Sequence, residues 1–386
     1  MKIDISDRLK KLPPYLFVEI DKAKKKARDS GADVIDLGVG DPDMPTPKFI
    51  IDALNKASLD PATHKYALDK GLPGLRIEIA KWYKKRFNVS LDPDTEVLPL
   101  LGSKEGIAHI PLAFINTNDV VLVPDPCYPP YKSGTIFAGG EPVVMPLRKE
   151  NAFLPDLKAL KRNEVKRSKM MFLNYPNNPT SSIATKGFFL EAVRFAAKEN
   201  IIICHDAAYS EMAFEGYRPP SFLEVDGAKE AGIEFHSLSK TFNMTGWRVG
   251  FACGSADVIK ALSKVKSNID SGIFTAVQHA AIQALKGIDR MARTMKVYQS
   301  RRDVFVDGLN KIGWSVDKPK ATFYVWAPVI KRHTSITLAK LLLDEASCVV
   351  TPGNGFGPSG EGYIRVALTR DESLLREAVK RISKIL

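Results

Sequence analysis

Short apolar runs alternate with helical patterns through the middle of the chain, and this alternation constrains the fold more than any other feature. Seven strand-like runs can be delimited, at residues 96–101, 119–123, 142–145, 169–173, 201–204, 234–235 and 249–252. Helical patterns lie between most of them. Strands that are separated by helices predict an α/β protein with a mostly parallel seven-stranded sheet and helices on both of its faces. Ligands of such sheets bind beyond the carboxyl ends of the strands.

The pattern changes on both sides of this region. A helix is predicted at 14–30 and a short strand at 33–40, followed by helices at 48–58 and 75–87. After about residue 271, helices are predicted at 274–285 and 291–312, strands at 321–326, 348–351 and 363–367, and a last helix at 374–385. The 386 residues suffice for two domains. We therefore predict a large domain over 46–290 and a smaller α+β domain formed by 1–45 and 291–386.

Composition limits the class of protein. A hydrophobic content of 45% and a charged content of 26% are typical of a soluble globular protein. The net charge of +12 comes from lysines that are spread over helix-like faces, so we interpret it as solvated helix surfaces and not as a nucleic-acid site. A small anionic substrate or cofactor would also benefit from the positive field. No apolar run is long enough for a membrane span, and the first residues contain no secretory signal, so we expect a cytoplasmic protein. The four cysteines are far apart, and neither a disulfide framework nor a metal site is expected.

Lys240 is the first candidate for a catalytic residue. It lies in the run Ser-Leu-Ser-Lys-Thr at 237–241, and Arg248 follows eight residues later between two glycines. A lysine with small hydroxyl neighbours can form an imine with an aldehyde cofactor, while Ser237 and Arg248 hold a phosphate dianion. Pyridoxal 5′-phosphate (PLP) has both groups. A surface lysine is the alternative, and the neighbouring residues argue against it.

Three further side chains suit a PLP site. Asp206 follows the apolar run 201–204, where a carboxylate could pair with the ring nitrogen of the cofactor. The alternative is that Asp206 caps a helix. Tyr209 and Asn178 could both hydrogen-bond the phenolic oxygen of the cofactor. Their alternatives are ordinary packing and an ordinary Asn-Pro turn.

The remaining candidates would bind the phosphate, the ring face and the substrate. Gly102, Ser103 and Lys104 lie between a strand and a helix, where backbone N–H groups point at anions, although a simple N-capped turn has the same pattern. Tyr128 could stack on the cofactor ring or merely fill a loop. Arg365 lies inside an alternating strand and could bind the substrate α-carboxylate in a bidentate manner, with a structural salt bridge as the alternative.

Taken together, these motifs resemble the fold-type I PLP-dependent aminotransferases over essentially the whole chain. Among these, the chain more closely resembles the LL-diaminopimelate aminotransferases. The motifs that carry the resemblance are Leu-Gly-Val-Gly-Asp-Pro-Asp at 37–43, Leu-Gly-Ser-Lys-Glu-Gly-Ile at 101–107, Asn-Tyr-Pro-Asn-Asn-Pro-Thr at 174–180, His-Asp-Ala-Ala-Tyr-Ser-Glu at 205–211, Phe-His-Ser-Leu-Ser-Lys-Thr at 235–241 and Pro-Lys-Ala-Thr-Phe-Tyr at 319–324.

The resemblance implies roles beyond those that the residues suggest. Lys240 would be the base that moves a proton once the substrate has released it. Gly40 would lie against the substrate, and Tyr66 would reach the phosphate of a neighbouring subunit, which implies a homodimer with shared sites. Asp69 would meet the distal end of the substrate. One departure is Ser181, where the family usually has glycine, so the local turn is expected to differ because serine adopts a positive φ less easily.

The resemblance implies transfer of an amino group from LL-2,6-diaminopimelate to 2-oxoglutarate, as a step of lysine synthesis. Three alternatives stay open at this point. The first is an aminotransferase for aspartate, alanine or aromatic amino acids, the second is a PLP-dependent C–S lyase, and the third is a non-enzymatic binding module. The presence of Lys240, Asp206 and Arg248 argues against the third.

Overall fold

The computed structural model describes residues 3–12, 16–67, 70–330 and 332–385, with only the backbone described at 16–19 and 23. Its strands are β1 (Ile35–Asp36), β2 (Val97–Leu100), β3 (Val120–Asp125), β4 (Glu141–Pro146), β5 (Ser168–Asn174), β6 (Ile202–Asp206), β7 (Gly232–Ser237), β8 (Gly250–Gly254), β9 (Tyr324–Pro328), β10 (Cys348–Val349), β11 (Thr351–Pro352) and β12 (Tyr363–Ala367).

The α-helices of the described residues are α1 (Asp7–Lys10), α2 (Leu16–Asp29), α3 (Lys48–Ser58), α4 (Pro73–Phe87), α5 (Ser103–Phe114), α6 (Pro130–Phe137), α7 (Arg162–Arg167), α8 (Lys186–Glu199), α9 (Ala228–Ala231), α10 (Leu238–Thr241), α11 (Ala256–Lys266), α12 (Thr275–Lys286), α13 (Ala292–Lys311), α14 (Ser335–Ala346) and α15 (Glu372–Ile382). No helix among the described residues is long and apolar enough to cross a membrane.

The large sheet has seven strands in the order β2-β8-β7-β6-β5-β3-β4. Strands β4, β3, β5, β6 and β7 run parallel to one another, and β8 is antiparallel to both β7 and β2. All seven strands coincide with the predicted apolar runs to within a few residues, so the prediction of a mostly parallel seven-stranded sheet is confirmed.

The central strands of this sheet are mostly apolar because both faces of the sheet are covered. In β5, Met170 and Phe172 pack into one hydrophobic cluster, whereas Met171 and Leu173 pack into another. Successive side chains of a strand point to opposite faces, so a strand between two helix layers needs apolar residues at every position. This explains why these runs show no alternation of polar and apolar residues.

The carboxyl ends of the parallel strands bring polar residues to one edge of the sheet. Strand β3 ends at Asp125, β5 at Asn174, β6 at Asp206 and β7 at Ser237. Each of these positions is the last residue of a strand whose other side chains are largely buried. The edge that they form is where ligands of open α/β sheets bind.

A second hydrophobic core surrounds a three-stranded antiparallel sheet of order β11-β12-β9 and the parallel pair β1-β10. This core also takes Tyr209, Met212 and Phe214 from the middle of the chain. The division into domains at 46–290 therefore stays a prediction. Two local predictions were wrong: β1 is much shorter than the predicted 33–40, and α14 had no predicted counterpart.

Candidate active site

A cavity of about 330 Å³ opens at the carboxyl edge of the large sheet, beside the smaller sheet. Eleven of the fourteen residues predicted for the site line it. They are Gly40, Ser103, Lys104, Tyr128, Asn178, Asp206, Tyr209, Ser237, Lys240, Arg248 and Arg365. Residues that are separated by more than 300 positions in the sequence therefore meet at one place.

Lys240 lies on the short helix α10, which begins where β7 ends. The Ser237 side chain accepts a hydrogen bond from the Ser239 N–H and so caps this helix. The Lys240 Nζ donates to the carbonyl oxygen of Gly40 at 2.9 Å. Burial lowers the pKa of Lys240 to about 8; Asp41 opposes this shift and Arg365 adds to it. The amine can therefore lose its proton near neutral pH, which a nucleophile or general base requires.

Asp206 ends β6 and is 5% exposed. Its Oδ2 accepts a hydrogen bond from the Tyr131 hydroxyl at 2.8 Å, and its Oδ1 accepts one from the Ala208 N–H at 3.2 Å. Burial raises the pKa of Asp206, and the hydrogen bond from Tyr131 partly offsets this. A buried carboxylate whose neighbours offset the cost of burial only in part is suited to a ligand group that carries positive charge.

The start of helix α5 and Arg248 form a cationic corner of the cavity. Gly102 has a φ of 78° and directly precedes the helix, which begins at Ser103. Arg248 donates from Nη1 to the carbonyl oxygen of Thr245 at 2.8 Å, and a Cβ at Gly102 would collide with its guanidinium. Glycine at 102 is therefore what lets the arginine lie across the helix N-terminus. The corner suits an anion such as a phosphate.

Arg365 lies on β12 and is almost completely buried. Its Nη1 donates to the Asn178 Oδ1 at 2.8 Å, and its Nη2 donates to the carbonyl oxygen of Gly38 at 2.7 Å. The guanidinium lies between two rings, with its carbon 4.3 Å from the centroid of Tyr324 and 4.7 Å from that of Phe356. These contacts fix the plane in which the guanidinium can meet a carboxylate.

The turn after Asn178 has a backbone conformation that glycine adopts more easily than serine. Ser181 has a φ of 59°, in the left-handed region, and the expected difference from the turn of the family stays a prediction. The serine hydroxyl hydrogen-bonds the Thr322 hydroxyl at 2.8 Å and donates to the carbonyl oxygen of Tyr324 at 2.9 Å. These two contacts hold the turn in a conformation that serine seldom adopts.

Two of the other predicted residues lie outside the cavity wall. Gly102 is beneath Arg248 and not in the wall of the cavity. Tyr66 follows a 3₁₀ turn and is 90% exposed, so it does not take part in the cavity of its own chain. Asp69 lies outside the described residues.

The sequence reasoning did not propose every residue that lines or supports the cavity, and among those it missed are Asp41, Tyr131, Asn174 and Tyr324. Asn174 donates to the carbonyl oxygen of Asp206 at 2.7 Å, and its Oδ1 accepts from the Asn178 N–H at 2.8 Å. It ends β5, and that position is the signal that could have identified it. No group of three or more His, Cys, Asp or Glu side chains could hold a metal ion in the described part of the chain.

Comparison with known proteins identifies the class of enzyme. The pattern of the class I and II aminotransferases matches residues 32–382, so the chain belongs to this family. It is 55% identical over 381 residues to the LL-diaminopimelate aminotransferase of Syntrophobacter fumaroxidans, with 98% of each chain covered. The corresponding enzyme of Moorella thermoacetica is 53% identical over 380 residues, which are 98% of this chain and 97% of that one.

A solved structure agrees with this assignment. The substrate-bound BacF of Bacillus subtilis superimposes with a TM-score of 0.95 at 40% identity, covering 100% of this chain and 98% of the other. The prediction of a fold-type I aminotransferase is confirmed.

Proposed function

We propose that this aminotransferase moves the amino group of LL-2,6-diaminopimelate to 2-oxoglutarate, with PLP as its cofactor. The products would be glutamate and a keto acid that cyclises to tetrahydrodipicolinate, as a step of lysine synthesis. The observation that carries the proposal is the Lys240 amine, whose pKa burial lowers to about 8, in the same cavity as the buried carboxylate of Asp206.

The residues of the cavity fit PLP at three points. The cationic corner, which Arg248 and the start of helix α5 at Ser103 form, suits a phosphate dianion, and Ser237 lines the same cavity. Asp206 suits a protonated ring nitrogen, because that cation would compensate the burial of the carboxylate. When bound, PLP supplies an aldehyde that carries the amino group and a ring that withdraws electrons from the substrate Cα.

The protein supplies proton transfer and orientation. The Lys240 amine would take the proton from the substrate Cα, since an amine with a pKa near 8 both accepts and returns a proton at neutral pH. The Arg365 guanidinium would hold the substrate α-carboxylate. The Tyr209 hydroxyl and the Asn178 side chain would orient the phenolic oxygen, with Tyr128 against the ring face and Gly40 against the substrate.

Support for the substrate comes from the relatives. Two aminotransferases that are 53–55% identical over nearly the whole chain are named for LL-diaminopimelate. Aspartate, alanine and aromatic donors are the competing substrates, and cystathionine cleavage would indicate a C–S lyase.

The test is a substrate panel with the purified protein. LL-diaminopimelate and 2-oxoglutarate should give equimolar glutamate and a cyclic product that an aromatic aminoaldehyde traps. The meso isomer, aspartate, alanine, phenylalanine and cystathionine serve as competing donors. If any of these donors is turned over faster, the assignment of LL-diaminopimelate as the amino donor is wrong. If the protein gains no visible absorption with PLP, the proposed cofactor is wrong. If the Lys240→Ala variant still turns over substrate, the proposed role of Lys240 is wrong.

We also propose that the enzyme is a homodimer with shared sites. Tyr66 is 90% exposed in the single chain, and Leu59 is 82% exposed. A second subunit that covered these side chains would bury apolar surface that the single chain leaves in water. Light scattering of the purified protein should give twice the mass of the chain, whereas the mass of a single chain would exclude shared sites.

A further inference from the structure

Tyr324 lines the cavity, but none of the roles proposed above uses it. We propose that Tyr324 is a positioning residue, whose hydroxyl orients the Tyr209 hydroxyl and whose ring holds the Arg365 guanidinium, and that Ser181 and Thr322 fix its place. The proposal rests on the proposed function of the site. It explains what the serine does at the position where the family usually has glycine.

The first step concerns the two phenols. The Tyr209 and Tyr324 hydroxyls are 3.0 Å apart, and the two residues are only 5% and 2% exposed. Within the described residues, each hydroxyl has the other as its hydrogen-bond partner. A hydroxyl carries one proton. If Tyr209 donates its proton into the cavity, Tyr324 must donate to Tyr209, and such a chain of hydrogen bonds strengthens the outer donor.

The second step concerns the ring of Tyr324. Its centroid lies 4.3 Å from the Arg365 guanidinium carbon, and the Phe356 centroid lies 4.7 Å from the same carbon. An arginine that lies flat on an aromatic face gains a cation–π contact and loses rotational freedom. The Tyr324 hydroxyl also lies so close to Gly40 that a Cβ there would collide with it. One side chain therefore contacts three groups to which substrate-facing roles are proposed.

The third step concerns what holds Tyr324. Ser181 and Thr322 have φ values of 59° and 68°, which are rare for residues with a Cβ and rarest for a β-branched residue. Their hydroxyls are hydrogen-bonded to each other at 2.8 Å. Ser181 also donates to the Tyr324 carbonyl oxygen at 2.9 Å, and the Thr322 hydroxyl accepts from the Tyr324 N–H at 3.0 Å. The hydroxyls of Ser181 and Thr322 thus connect the start of β9 to the Asn178 turn, and a glycine at 181 could not make the serine contacts.

The decisive experiment titrates the visible absorption of the PLP-loaded protein with pH. Tyr324→Phe keeps the ring and removes the hydroxyl, so Tyr209 becomes a weaker donor and the pKa of the absorption change should rise by a few tenths of a unit. The matched control is Tyr217→Phe, which removes a half-buried phenol outside the cavity that donates to the Ala184 carbonyl oxygen at 3.4 Å. The control should titrate like the wild type.

A double-mutant cycle tests the role of Ser181. Ser181→Gly tolerates the positive φ and removes the tether, so it should raise the same pKa by less than Tyr324→Phe does. In the Tyr324→Phe background this effect should vanish, because no hydroxyl is left to misplace. An effect of Ser181→Gly that persists there would show that the serine acts by another route.

Removal of the ring should act on substrate binding instead. Relative to Tyr324→Phe, Tyr324→Leu should raise KM for both the amino donor and the oxo acid about threefold to tenfold, as expected for a lost cation–π contact. A wild-type protein with no visible band would overturn the proposed function, and this inference with it. A wild-type band whose pKa is unchanged in Tyr324→Phe would overturn the inference alone.

Discussion

The unusual setting of Lys240 has a measurable thermodynamic consequence. Its ordinary pKa of 10.5 falls to about 8 because the ammonium is buried, so burying the charged form destabilises the fold. A difference of about 2.5 pH units corresponds to about 3 kcal/mol. Replacement by methionine removes the charge and also the hydrogen bond to the Gly40 carbonyl oxygen, which is worth about 1 kcal/mol. We therefore expect Lys240→Met to stabilise the cofactor-free protein by about 1 to 2 kcal/mol at pH 7.

The gain depends on pH with a defined sign. Below about pH 8 the lysine is protonated in both the folded and the unfolded chain, so the full cost of burying the ammonium lowers the free energy of unfolding. Between about 8 and 10.5 the unfolded chain holds the proton and the folded chain has lost it, so the wild type becomes more stable as the pH rises. The advantage of the Lys240→Met variant should therefore decline over this range and disappear above it.

Thermal unfolding of the cofactor-free proteins measures this directly. The variant should melt about 1 to 3 °C above the wild type at pH 7. Lys266 is the matched control, because it is 1% exposed but bonded to Glu105 at 3.1 Å and to Asp270 at 2.7 Å. Lys266→Met leaves two carboxylates uncompensated and should destabilise the protein by about 3 to 5 kcal/mol. If Lys240→Met also lowered the melting temperature at pH 7, the reasoning from desolvation would be refuted.

Three further outcomes are expected. Tyr131→Phe should lower the free energy of unfolding, measured with urea at neutral pH, by about 1.5 to 3 kcal/mol, because the Tyr131 hydroxyl donates to the charged carboxylate of Asp206. The loss should shrink as the pH falls and Asp206 becomes protonated, and a loss that does not vary with pH contradicts this. Arg365→Lys should raise KM for donor and acceptor about tenfold or more in steady-state kinetics, since lysine cannot bind a carboxylate in a bidentate manner, and an unchanged KM would exclude Arg365 from binding. Hybrid dimers of Lys240→Ala and Tyr66→Ala chains should regain about a quarter of wild-type activity if Tyr66 serves the partner's site, whereas no gain over the separate parents would exclude this.

Residues that lie in contiguous motifs at the ends of strands could be predicted from the sequence. Asp206 and Ser237 each lie just beyond a predicted strand, and the parallel arrangement of β6 and β7 then brings them to the same edge. Lys240 follows Ser237 on the next turn of chain. The local sequence therefore determines both the element and the position of these side chains at its end.

Contacts between distant elements could not be predicted in this way. Tyr131 is 75 positions from Asp206, and Tyr324 is 115 positions from Tyr209. No sequence spacing encodes such a pair, because it depends on how helices and sheets pack. Helix α14 was missed for a different reason, although Thr334 forms a capping box with Thr337 at its start, a local signal that could have been recognised.

Two buried carboxylates on neighbouring strands show how the fold separates a structural acid from a functional one. Asp206 and Glu234 lie on β6 and β7, and His205, next to Asp206, is the register partner of Glu234. Burial alone would raise the pKa of Glu234, but hydrogen bonds from His205 and His236, both at 2.7 Å, outweigh it and hold that pKa well below its usual range. The Glu234 carboxylate also accepts hydrogen bonds from Tyr83, Ser221 and the Phe222 N–H.

Among the residues that the structure describes, Asp206 has two such donors, Tyr131 and the Ala208 N–H, and its pKa stays raised by burial. Glu234 is thus satisfied by the fold itself, and a ligand could add little to it. Asp206 keeps a cost of burial that a cationic ligand group would remove, and this gives the ligand its binding energy there. The number of donors around each acid, and not its burial, is therefore what marks Asp206 as the carboxylate of the active site.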